Sequence, residues 1–119
     1  MGEKGYKELQ VWQEAMSFVK MVYQAVKPFP REELHALSDQ LKRAVVSIPS
    51  NIAEGAGRAT HAEFIRFLYI ARGSLCEVDT QLELAQNLGY CVYSEQLRDQ
   101  EAKVGRMLNG LIRSLKTSH

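Results

Sequence analysis

Between its prolines and glycines the chain repeats apolar residues every three or four positions, and it nowhere alternates apolar with polar residues as a half-buried strand would. Four helices are predicted. Across the first, from about Glu8 to Lys27, a narrow polar stripe holds Gln10, Gln13, Glu14, Ser17, Lys20, Gln24 and Lys27. The rest is apolar: Trp12, Met16, Val19, Tyr23 and Val26 form one stripe, and Val11, Phe18, Met21 and Ala25 a second. A helix against one core needs one apolar face, so this breadth predicts a second covering surface, supplied by another copy of the chain. Otherwise the neighbouring helices of one bundle must cover both stripes.

Pro28-Phe29-Pro30 ends that helix, and a second is predicted from about Glu32 to Gly55, with Leu34, Leu37, Leu41, Ala44, Val45, Ile48 and Ile52 on one face. Gly55 and Gly57 can terminate it. Thr60-His61-Ala62-Glu63 reads as a capping box that opens a third helix. There Phe64, Leu68, Ala71, Leu75, Val78, Leu82 and Ala85 alternate spacings of four and three, the seam of a left-handed helix contact. Cys76, between Leu75 and Val78, is expected to be a small buried apolar residue. Gly89 closes this helix. Ser94 is an N-cap candidate for the last one, with Leu97, Val104, Leu108, Leu111 and Leu115 inward. Short connections make successive helices antiparallel, so the fold class is all-α: an up-down-up-down four-helix bundle spanning residues 6–116, with mobile ends at 1–5 and 117–119.

The chain has 119 residues and 45% hydrophobic content, enough for one core without staples. Fifteen Lys and Arg against fourteen Asp and Glu exclude binding to nucleic acid through total charge alone. Cys76 and Cys91 form no disulfide framework or metal motif, and with no apparent leader or membrane span they point to a soluble, cytoplasmic protein. Glu32-x-x-His35 has no second copy to complete a di-iron site, and His35, His61 and His119 sit at helix starts or the terminus. No nucleophile elbow or phosphate loop is present. No metal, cofactor or catalytic residue is therefore expected.

One segment breaks helix rules. Pro49 removes a hydrogen bond to the carbonyl of Val45, at a cost on the order of 3 kcal/mol, and predicts a kink. Ser47, Asn51, Glu54 and Arg58 form a polar line on the same helix, which either pairs locally or meets a ligand. Charge is segregated as well. In the up-down order one pole carries Lys4, Lys7, Arg58, Arg66, Arg72, Arg106, Arg113 and Lys116 against Glu3, Glu8, Glu54 and Glu63. The other holds Glu32, Glu33, Glu77, Asp79, Glu83, Glu95, Asp99 and Glu101 against Lys27, Arg31, Arg98 and Lys103. The helix dipole explains this order in the fourth helix but opposes it in the third, whose bases lie toward its N-terminal half. Cross-helix pairing or an anionic partner must account for the reversal.

SIPSNIAEGAGR, EFIRFLYIARGSL, VGRMLNGLIRSLK and the opening YKELQVWQEAM resemble the bacterial four-helix bundle family encoded in intervening sequences of 23S ribosomal RNA genes. Ser47, Pro49, Asn51, Glu54, Gly55 and Gly57 belong to the most specific element. The resemblance implies a homopentamer with a central channel, and kinship with the accessory variability determinant of diversity-generating retroelements, which binds nucleic acid and a reverse transcriptase. It brings no catalytic residues. Relatives often carry extra bases after the Gly-x-Gly-Arg turn, where this chain has Ala59, Thr60, His61 and Ala62. A non-enzymatic oligomer that contacts structured RNA or an RNA:DNA hybrid through Arg58, Arg66, Arg72, Arg106, Arg113 and Lys116 is the leading expectation. A scaffold docking a partner such as a reverse transcriptase is the alternative.

Overall fold

In the computed structural model, which describes residues 5–117, the chain forms four helices: α1 (Gln10–Val26), α2 (Leu37–Ala56), α3 (His61–Asn87) and α4 (Glu95–Thr117). Of the ends expected to be mobile, 1–5 and 117–119, residues 1–4 and 118–119 lie outside that description, as do the charges of Glu3 and Lys4, while Gly5 opens a 3₁₀ turn and Thr117 closes α4. Short 3₁₀ turns at Gly5–Glu8 and Arg31–Glu33 precede α1 and α2. Among the described residues there is no strand. Each helix packs on its chain neighbours and α4 returns to α1, while α1 and α3, like α2 and α4, stand diagonally with no Cα atoms within 8 Å of each other. The result is a four-cornered rod of 48 × 24 × 21 Å.

The α3 seam is the spine of the core. Phe64, Leu68, Ala71, Leu75, Val78, Leu82 and Ala85 are all buried, as their spacing predicts, against Leu41, Val45, Ile48 and Ile52 of α2 and Val104 and Leu108 of α4. Thr60 Oγ1 accepts the amide of Glu63 at 3.1 Å, and Ser94 Oγ accepts that of Leu97 at 3.1 Å, so both expected N-caps form. Gly89, at φ +79°, ends α3 in the left-handed conformation, letting the Tyr90 amide reach back to the Ala85 carbonyl at 2.9 Å.

Several expectations are corrected. The second helix starts at Leu37 rather than near Glu32, because the Glu33 carboxylate accepts the Leu37 amide at 3.3 Å and fixes the chain in a turn before it. Leu34 is consequently exposed instead of facing the core. Cys76 is exposed, since a position one residue past Leu75 is rotated about 100° off the seam. In α4 Ile112 is buried, whereas Leu111 and Leu115 are half-covered at the edge of the core.

Gly55 does not terminate α2 but lies buried inside it. A Cβ there would sit 2.7 Å from Cβ of Phe67 and 2.9 Å from Cδ1 of Phe64, so the lack of one lets α2 approach α3. Gly57 supplies the end, its N–H reaching the carbonyls of Ala53 and Glu54. The helix runs through Pro49 without interruption.

Candidate nucleic-acid interface

The cationic candidates fall into two groups around the N-terminal half of α3. Phe67 and Tyr69, two residues apart on that helix, lie on different sides of it. Phe67 faces α2 and is buried, and the guanidinium carbons of Arg58 and Arg66 stand 4.8 Å and 4.9 Å from its ring centroid. Tyr69 faces α4 and is 36% exposed; Arg72 lies 4.7 Å and the Lys116 ammonium 5.3 Å from its ring. Such contacts contribute about 0.5–1 kcal/mol each where solvent reaches them, and they hold long side chains without neutralising them.

Lys116 Nζ also donates to Tyr69 Oη at 2.6 Å, which together with the nearby positive charge lowers the phenol's pKa. Arg72 donates to Asn109 Oδ1 at 3.0 Å across the helix pair. Arg113 joins Tyr69, Arg72, Asn109 and Lys116 around a notch of about 300 Å³ with Ile112 at its base. Arg106 lines neither group: it lies two turns before Arg113 on α4, roughly 10 Å along the axis.

Of these bases, only Arg58 has a carboxylate within ion-pair distance among the described residues, Glu54 at 2.9 Å. The acids of α3 differ. Glu83 receives two hydrogen bonds from Arg98 of α4, at 2.8 Å and 3.2 Å, and its carboxyl is held below the usual range by that contact. Asp79 accepts from the buried Tyr93 hydroxyl at 2.8 Å; burial first, then this bond, push the phenol's pKa upward. A cross-helix ion pair thus answers Glu83 and a hydroxyl from the connecting loop answers Asp79, whereas no ion pair to Arg66 or Arg72 is found among the described residues.

The motif around Pro49 turns inward. Ser47 Oγ and Ser74 Oγ of α3 lie 2.9 Å apart, and Asn51 Nδ2 donates to the Ser47 carbonyl at 2.8 Å and hydroxyl at 2.9 Å. With Glu54 on Arg58 and Gly55 against Phe67, the polar line ties α2 to itself and to α3. On the outer side of α1 and α2, an apolar groove of about 300 Å³ is lined by Tyr6, Trp12, Met16, Val19, Val46 and Pro49, with Ser50 and Ala53. Met16, Tyr23 and Val46 remain 37–40% exposed. Of the first apolar stripe of α1, Val26 is buried and Trp12 and Val19 are partly covered by the bundle, while Met16 and Tyr23 are left exposed.

Tyr69, Asn109 and Phe67 were not predicted as site residues. A helical Tyr or Phe reads as packing, and only the α3–α4 register brings Tyr69 to Lys116. Among the described residues no three His, Cys, Asp or Glu group as metal ligands, and no helix is long and apolar enough to cross a membrane.

The model of the family described as 23S rRNA-intervening sequence protein matches residues 7–110. A crystal structure of a protein of unknown function from the S23 ribosomal protein family of Bacteroides thetaiotaomicron superposes with a TM-score of 0.78 at 24% identity, covering 87% of this chain and 95% of that one. That likeness bears on the fold. No curated protein matches the chain.

Proposed function

The chain belongs to the 23S rRNA-intervening sequence protein family, and on that premise we propose that it is a non-enzymatic, homo-oligomeric protein that holds RNA, or an RNA:DNA hybrid, by its phosphates. The observation that carries this reading is the set of cations at one end of the rod, Arg66, Arg72, Arg113 and Lys116, which no carboxylate among the described residues neutralises. Unpaired bases held on a rigid surface lower the free energy of a polyanion placed on them by counterion release, even when net charge is near zero. Recognition through shape and backbone fits the lack of a base-reading motif. The groove between α1 and α2 supports self-association, with the pentamer of the resembling family as the expected assembly, and association would multiply the phosphate contacts of one protomer.

The test is RNA affinity of the full chain between about 50 and 200 mM salt, for the parent and the triple variant Arg66→Glu, Arg106→Glu, Arg113→Glu. Steep salt dependence and a loss of at least about tenfold in the variant are expected. Unchanged affinity in the variant rejects phosphate recognition and leaves the scaffold that docks a partner protein. A monomeric mass by light scattering at micromolar concentration rejects the oligomer.

A further inference from the structure

The notch between α3 and α4 presents hydrogen-bond donors almost exclusively. Lys116 can only donate, so its 2.6 Å bond to Tyr69 uses the phenol oxygen as acceptor and leaves the phenol's own hydrogen available to another group. Arg72 can likewise only donate, so Asn109 turns its oxygen to the guanidinium and its NH₂ group outward. Arg113 completes the rim, and no carboxylate lines the notch. Three cations and two neutral donors thus converge on a concavity of about 300 Å³.

A ligand for such a site has to be an acceptor with several oxygens, because each donor desolvated without a partner costs free energy. A carboxylate offers two oxygens and one charge. An internal phosphodiester offers two free oxygens and only one charge. A phosphomonoester offers three oxygens, carries nearly two charges at neutral pH, and is tethered on one side only. We infer that the notch binds the terminal phosphate of a nucleic-acid strand, with Arg72, Arg113 and Lys116 matching its charge and Tyr69 and Asn109 donating to its oxygens. This rests on the proposed function and names the part of the polyanion that the site selects. On the α2 side of the same helix Arg66 stands over the Phe67 ring, a second cation for phosphates further along a strand that a free phosphate ion does not need.

The experiment measures anisotropy of one short single-stranded RNA, made with a phosphate on either end or with hydroxyls on both, against the full-length protein at fixed salt. A phosphate on at least one end is expected to tighten binding about tenfold. Tyr69→Phe, which keeps the charge but removes the phenol donor and the acceptor that holds Lys116, is expected to reduce that preference severalfold, a larger factor than its effect on affinity for the hydroxyl-ended strand. Asn109→Asp, which places an acceptor in the notch, is expected to abolish it. Both positions are exposed, and circular dichroism of each variant checks the fold. Equal affinity for all ends, with salt dependence intact, overturns the terminal-phosphate inference while the proposed function stands. Failure to bind any oligonucleotide overturns both. Equal competition by inorganic phosphate, or by a phosphoserine peptide matched in length, overturns the assignment of the ligand to a nucleic-acid end.

Discussion

The two halves of α3 solve opposite electrostatic problems. Toward its C-terminus, Asp79 and Glu83 are answered from within the bundle, by the buried Tyr93 hydroxyl and the Arg98 guanidinium, and Arg98 also stacks 4.0 Å from the Tyr93 ring centroid while donating to the Tyr93 carbonyl. Toward its N-terminus, Arg66 and Arg72 meet aromatic rings and an amide in place of carboxylates. Both arrangements oppose the preference of the helix dipole. Where the charge is matched internally, the cost is offset by folding and the groups hold the structure together. Where it is not, the groups remain available for a partner, and a ring fixes their position without cancelling their charge.

This contrast can be broken most severely at its paired end. Tyr93→Ala removes a 3% exposed ring and leaves Asp79 without its donor, and is expected to cost about 3–5 kcal/mol in denaturant unfolding. Arg66→Ala or Arg72→Ala is expected to cost about 1 kcal/mol or less, the size of one exposed ring contact. Comparable losses at the two ends would refute the distinction. Next in size is Gly55→Ala, whose new methyl overlaps Phe67 and Phe64; overpacking is expected to destabilise by about 1–3 kcal/mol, read from the unfolding midpoint, and to weaken RNA binding by displacing the ring under Arg58 and Arg66.

The smallest effects are those of pH, and they sharpen the contrast by sign. Arg98 lowers the Glu83 pKa, so this pair stabilises the fold above the ordinary carboxylate value, and the contribution is lost as pH falls through the lowered one. Glu101 behaves oppositely. Desolvation and then the Asp79 charge raise its pKa above 4.5, so its ionisation opposes folding as pH rises through that window. Glu101→Gln should therefore raise the melting temperature at neutral pH and leave it unchanged under conditions acid enough to protonate Glu101 in both states. A lower melting temperature at neutral pH would show that its carboxylate is favourably paired.

Periodicity made the bundle readable because burial imposes it: the α3 seam needed only the alternation of three and four, and Thr60 and Ser94 only the chemistry of a cap. Leu34 misled because local periodicity carries no information about Glu33 capping Leu37 and bonding Tyr90 from the end of α3. The cations at Arg66, Arg72, Arg113 and Lys116 were visible as a charge imbalance, but their arrangement was not. Tyr69 and Lys116 are 47 residues apart, and whether they touch depends on the relative slide of two helices. Phe67 was hidden for another reason: a buried ring is ordinary, and its contact with two guanidinium groups follows from the glycine facing it.

That glycine has a mechanical consequence. Where Gly55 lets Phe67 press toward the main chain of α2, the residue whose ring seats Arg58 and Arg66 is backed by main chain rather than by a pliable side chain, so less freedom is left to lose when a ligand arrives. The spacing of two guanidinium groups is in effect machined into the joint between two helices, and a missing methyl group sets its tolerance.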